Sequence, residues 1–186
     1  MKVLVIACSL NSDSRSAQLA AAVGKALAEQ GVAVEAVDLR EYELPLCDAG
    51  AAYGHEHVEP LRRAVAEADA VLLAVPIYNY DVNAAAKNLV ELTGKAWLGK
   101  VVGFLCAAGG RGSFMSVMGL ANSLMLDFRC LILPRFVYAT GVDFDEDGTP
   151  NPVVRERVAE LAQETVRVAG ALAAAPNAAR ASKTLG

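Results

Sequence analysis

The sequence predicts an α/β domain with a parallel sheet covered by helices on both faces. Three observations predict it. Short apolar runs alternate with segments of helical spacing along the 186 residues. The runs at 70–75 and 101–107 are continuous rather than alternating, as strands buried on both faces should be. Strand and helix take turns throughout, the pattern of successive right-handed crossovers.

Residues 3–7 are the first strand. Residues 16–29 carry apolar positions at helical spacing, and Gly31 supplies the stop. Residues 32–37 form the second strand, ending at Asp38, and a turn-rich loop runs from Arg40 to about His57. A helix over 58–68 turns Arg62 and Arg63 to solvent. The third strand follows at 70–75, then a helix over 82–93 and the fourth strand at 101–107. A helix over 113–128 precedes a fifth strand beginning at 131–133, and a helix over 153–172 closes the domain. The chain is expected to be one domain over 1–174, with a flexible tail at 175–186, where residues are small and polar around Pro176.

With 54% apolar and 20% charged residues, the composition excludes a disordered chain. A net charge of −4 argues against non-specific nucleic-acid binding. No run is long and apolar enough to span a bilayer. MKVLVIACSL is better explained by a strand than by a secretion signal, so a cytoplasmic protein without membrane partners is expected. Cys8, Cys47, Cys106 and Cys130 have no C-x-x-C spacing. Three of them, Cys8, Cys106 and Cys130, lie in or beside apolar runs and are expected as buried thiols. DFDEDG at 143–148 matches the start of a calcium loop, but Val154 stands where a bidentate Glu is required. It is expected to be an acidic turn without metal. His55 and His57 fit a covering loop or a subunit neighbour better than a metal site, and Trp97 is expected to pack beside the fourth strand.

Ligands of open parallel sheets bind beyond the carboxyl ends of the strands. Three segments stand there: CSLNSDSRS at 8–16, PIYNYDVN at 76–83 and AAGGRGS at 107–113. In the first, the hydroxyls of Ser9, Ser14 and Ser16 and the following helix N-terminus suit an anion. Arg15 can add charge. The loop lacks the lysine and glycines of a nucleotide triphosphate loop and has no G-x-G-x-x-G, so a metal-free monophosphate fits better. The second segment offers Tyr78 and Tyr80 as aromatic surface and Asn79 for the polar edge of a heterocycle, with Lys87 and Asn88 on the helix beyond. In the third, Gly109, Gly110 and Gly112 let backbone approach a flat ligand, and Arg111 can attract a substrate phosphate.

Together the segments resemble the NADPH-dependent FMN reductase family. Its phosphate loop, G-S-x-R-x-x-S-x-S, is similar to C-S-L-N-S-D-S-R-S. Its P-x-Y-N-x-S-x-P-x-x-L-K-N-x-x-D block is similar to P-I-Y-N-Y-D-V-N-A-A-A-K-N-L-V-E. The resemblance implies a flavodoxin-like fold, a five-stranded sheet of order 2-1-3-4-5. It implies that Ser9, Ser14 and Ser16 hold the FMN phosphate, with Asn11 and Arg15 in the same loop. Pro76, Ile77, Tyr78 and Asn79 would line the isoalloxazine, and Gly109, Gly110 and Arg111 would lie at its other edge. It further implies an NAD(P)H oxidoreductase passing electrons to a small-molecule acceptor, with the flavin carrying the chemistry and no catalytic side chain named. A homodimer or homotetramer is expected, touching through the 82–93 helix and the 53–57 segment. The alternatives are an electron carrier or regulatory flavoprotein without nicotinamide turnover, and a metal-free nucleotide-binding module. The chain departs from the pattern at Cys8 for glycine, Asn11 for arginine, and Asp81 and Asn83 for serine and proline.

Overall fold

A computed structural model describes residues 1–174, and the tail expected at 175–186 lies outside the described residues. Its strands are β1 (Lys2–Ala7), β2 (Ala33–Asp38), β3 (Ala70–Tyr78), β4 (Asp81–Val82), β5 (Val101–Ala108), β6 (Leu131–Ile132) and β7 (Val137–Thr140). Its α-helices are α1 (Arg15–Ala28), α2 (Val58–Glu67), α3 (Ala84–Thr93), α4 (Met118–Phe128) and α5 (Pro152–Ala174). The sheet order is β2-β1-β3-β5-β6, with β7 also pairing β5, all parallel. This is the expected flavodoxin-like order 2-1-3-4-5.

Alternation within the buried strands builds two cores. Leu4, Ile6, Val71, Leu73, Val102 and Phe104 face α2, α3 and α4. Val3, Val5, Leu72, Leu105 and Val137 face α1 and α5. Trp97 is fully buried in the first of these, and its Nε1 donates to Thr93 Oγ1 at 2.7 Å. Gly103 admits the second core to the sheet, since a Cβ there would stand 2.7 Å from Leu72 Cδ2. At the β2 margin, Glu35 lies 2.7 Å from Lys2 Nζ of β1.

The structure corrects three expectations. The fifth strand is in two pieces, β6 and β7, because Pro134 between them has no N–H for the ladder. The helix expected from Val82 begins at Ala84, because Val82 pairs with Ile77 in an antiparallel hairpin and Asn83 N donates to the Pro76 carbonyl at 3.1 Å. The helix expected from Ser113 begins at Met118. Before it, Arg111–Ser113 form a 3-10 turn, and tight turns follow, with Ser116 N donating to the Ser113 carbonyl at 3.1 Å and Met118 N to the Met115 carbonyl at 3.0 Å, while Phe114 packs on Phe136 and Tyr138 with ring centroids at 4.9 and 5.3 Å.

Candidate functional site

The crevice of the molecule lies beyond the ends of β1 and β3. β1 continues into a loop leading to α1 on one face, and β3 into a hairpin leading to α3 on the other. Neighbouring strands whose connections part in this way leave a gap at their carboxyl ends. β3 pairs with β1 only through Ala74, yet continues beside β5 as far as Ile77 opposite Ala108. The segments after β3 and β5 are thereby delivered side by side, past the point where β1 has turned away.

A cavity of about 600 Å³ occupies this gap. Ten of the twelve predicted residues line it: Ser9, Asn11, Ser14, Arg15 and Ser16 from the first segment, Pro76, Ile77, Tyr78 and Asn79 from the second, and Gly109 from the third. Asp13 also lines it, a carboxylate that the sequence reading had not singled out. Gly110 lines an adjoining cavity of about 340 Å³, which shares Ile77, Asn79 and Gly109 with the first. Arg111 lines neither. Its guanidinium lies 3.3 Å from Asp143, so its charge is engaged there.

Local rules explain the first wall. Ser14 is the N-cap of α1, and its Oγ accepts from Ala17 N at 3.1 Å. Ser14 and Ser16 share a 2.9 Å hydroxyl contact and are 6% and 1% exposed. The Ser9 hydroxyl accepts from Asn11 N at 3.2 Å, and Asn11 Oδ1 accepts from Asp13 N at 3.1 Å. These bonds bend the loop over the start of α1, where the first helical N–H groups have no carbonyl one turn back. Arg15 stacks its guanidinium 5.9 Å from the Phe144 ring centroid. Beneath the loop, Arg40 donates to the Ser12 carbonyl at 3.1 Å and pairs with Asp38, whose carboxyl those bonds hold below its ordinary range.

Asn83 sets the second wall. Its Nδ2 donates to the Cys8 carbonyl at 2.7 Å while its N–H holds Pro76, so one residue bridges the ends of β1 and β3. Asn79 and Tyr80 have φ of 50° and 65° as the two-residue loop of the hairpin. The third wall is pinned from below. Tyr138 OH donates to the Gly110 carbonyl and lies 2.8 Å from Ser113 Oγ.

Lys87 and Asn88 stand away from this crevice. Lys87 pairs with Glu91 at 2.6 Å. Asn88 receives Cys47 N–H and donates to the Pro45 carbonyl, both at 2.9 Å, clamping the loop after β2 onto α3. A wider cleft of about 930 Å³ lies between this loop, α3 and α4, bordered by Tyr53, Lys87, Glu91 and Asp127, and shares no lining residue with the crevice. The thiols of Cys8, Cys106 and Cys130 are buried. Burial pushes Cys106 up to about 12 and Cys130 up to about 11, far from a thiolate nucleophile.

Residues 1–145 match the family model described as NADPH-dependent FMN reductase. An NAD(P)H-dependent FAD/FMN reductase of Geobacillus thermodenitrificans is 30% identical over 140 residues, covering 74% of this chain and 76% of the relative. An NAD(P)H-dependent FMN reductase of Pseudomonas aeruginosa is 30% identical over 175 residues, covering 90% and 92%. The solved flavoenzyme NAD(P)H:(acceptor) oxidoreductase of Paracoccus denitrificans superposes with a TM-score of 0.74 at 23% identity, over 91% of this chain and 97% of that one.

Proposed function

Since the chain belongs to the NADPH-dependent FMN reductase family, an FMN-dependent class of NAD(P)H oxidoreductases, we propose that the crevice is its flavin site and that the residues lining it hold FMN. The observation that carries this is the single cavity shared by Ser14, Asn79 and Gly109, one from each of three distant segments.

The residues fit the group. At one end, the paired hydroxyls of Ser14 and Ser16 and the N-terminus of α1 offer donors to a phosphate without a metal or a lysine. At the other, the backbone of 76–79 and the side-chain-free Gly109 leave room for a flat ring, with a volume typical of cofactor sites. When bound, FMN supplies the acceptance of a hydride from NAD(P)H and its delivery as electrons to an acceptor. The chain's part is to hold the phosphate end through Ser9, Ser14 and Ser16, with Asn11 and Arg15 alongside. Pro76, Ile77, Tyr78 and Asn79 form the wall behind the ring, and Gly109 and Gly110 border its far edge. Arg111 is assigned to bracing Asp143 rather than to the cofactor.

The acceptor is a small molecule, and free flavin, a quinone, an azo compound or a metal oxyanion fits an open flavin face. We assign the protein to the cytoplasm as a one-domain unit over residues 1–174. It associates as a homodimer or homotetramer through α3 and the 53–57 segment, of which α3 and Tyr53 border the wider cleft.

Purified protein mixed with FMN should quench its fluorescence with one flavin per chain. Anaerobic NADPH or NADH should then bleach the bound flavin. Uptake without bleaching by either nucleotide would turn the assignment to the electron-carrier alternative, and no uptake would remove FMN from the crevice.

A further inference from the structure

Tyr80 occupies a backbone position that disfavours it. Tyr78 pairs with Asp81 across a two-residue hairpin, and the loop residues Asn79 and Tyr80 are both left-handed. Such loops favour Asn at the first position and Gly at the second, because a side chain at the second crowds its own backbone. Tyr80 has φ of 65° and carries one of the largest side chains there. Hairpin geometry alone would be better served by glycine, so the ring does not serve the hairpin.

Its surroundings show what it does serve. Tyr80 is 73% exposed, and its hydroxyl stands 3.3 Å from where a Cβ on Gly112 would be. The side chain therefore reaches across from the hairpin to the glycine loop after β5. Beneath that span lies the cavity of about 340 Å³, bordered by Ile77, Asn79, Gly109 and Gly110. A Cβ at Gly109 or Gly110 would meet nothing within 4 Å, so this chamber is open on the glycine side. It adjoins the 600 Å³ cavity directly through three shared lining residues. The guanidinium of Arg111, on the glycine loop, is engaged by Asp143 and does not line this chamber.

We propose that Tyr80 is the specificity-determining residue of an acceptor chamber beside the flavin site, its ring walling the chamber so that flat aromatic acceptors are selected over compact ones without a ring face. This rests on the assignment of the 600 Å³ cavity to FMN. A ring offered edge or face suits a planar acceptor by stacking.

The test compares Tyr80→Gly and Tyr80→Phe with the parent, all loaded with FMN. Tyr80→Gly should melt at or above the parent's temperature and keep its FMN affinity within about twofold, since glycine suits the turn. Its oxidised form should bind oxidised 1,4-naphthoquinone about tenfold more weakly by calorimetry, the scale of one lost stacking partner. Its ratio of kcat/KM for naphthoquinone over ferricyanide should fall by a similar factor. Tyr80→Phe should keep both values near the parent's. Unchanged naphthoquinone binding in Tyr80→Gly overturns the proposal, and so does a matching loss of FMN affinity, which would make Tyr80 part of the cofactor cradle. A parent that takes up no FMN defeats the cofactor assignment instead.

Discussion

Asn83 Nδ2 stands 2.7 Å from the carbonyl oxygen of Cys8, a bond between residues 75 positions apart. With Asn83 N–H on Pro76, it fixes the spacing between the phosphate loop and the ring wall. Asn83→Ala should lower stability by about 1 kcal/mol, because it orphans a buried carbonyl. It should also weaken FMN binding about tenfold, if a loosened gap costs roughly one hydrogen bond of binding energy. Denaturant melts of the apoprotein and fluorescence-quench titrations measure the two effects separately. A stability loss with unchanged FMN affinity would show that the bridge does not set the gap.

Ser14 and Ser16 should separate capping from phosphate binding. Ser14→Ala removes the N-cap of α1 and should cost about 1 kcal/mol of stability besides weakening FMN. Ser16→Ala leaves the cap and should weaken FMN with little change in melting temperature. Riboflavin, which lacks the phosphate, is the control. Its affinity should be nearly blind to Ser16→Ala, and an equal loss for both flavins would place Ser16 elsewhere than at the phosphate.

Charge is sparse at the phosphate end. Asn11 spends its carbonyl on Asp13 N–H, and the Asp13 carboxylate lines the same cavity. Asn11→Arg should tighten FMN binding by about threefold to tenfold at low ionic strength, as a charge-assisted contact near solvent would. The gain should shrink in 1 M salt, roughly as the screening length falls to about 3 Å. An affinity gain indifferent to salt would refute an electrostatic origin.

Asp143 makes the loop after β7 sensitive to acid. Its Oδ2 accepts from Thr140 N and Thr140 Oγ1, both at 2.8 Å, and Arg111 lies beside it. The Thr140 backbone bond, with the hydroxyl and Arg111 adding to it, holds this carboxyl below its usual range. A lowered folded pKa stabilises the fold above the ordinary carboxylate range, and that stability is lost as pH falls through the folded value. Asp143→Asn should therefore be less stable than the parent at pH 7, with the difference closing toward pH 2. Melts across pH 2–8 test this, and a constant difference would exclude the ionised carboxylate as its source.

The buried strands were legible because two-face coverage leaves an unbroken apolar run, as in 70–75 and 101–107. The phosphate wall was legible because capping chemistry is local, and Ser14 announces α1 from the residue before it. What escaped depends on distant partners. Nothing near Arg111 reveals Asp143, 32 residues on, and nothing near Asn83 reveals the Cys8 carbonyl. The hairpin at 77–82 was hidden by its own loop, since Asn-Tyr lacks the glycine that marks such turns. Phe114 and Met115 look helical, but the chain there closes i→i+3 turns at Ser113 and Met115 before α4 starts, with Phe114 packed on the distant rings of Phe136 and Tyr138.

Among the described residues, the margin strand β2 leaves one side of its backbone ladder unpaired, and a naked margin invites a stranger's strand. Glu35 sits mid-strand there, ion-paired to Lys2 of β1. Any incoming copy would have to align its own charges against that pair and against Asp38 at the strand's end. Concentrated solutions should thus resist fibril growth along this margin, and a neutral Glu35→Val chain should seed it.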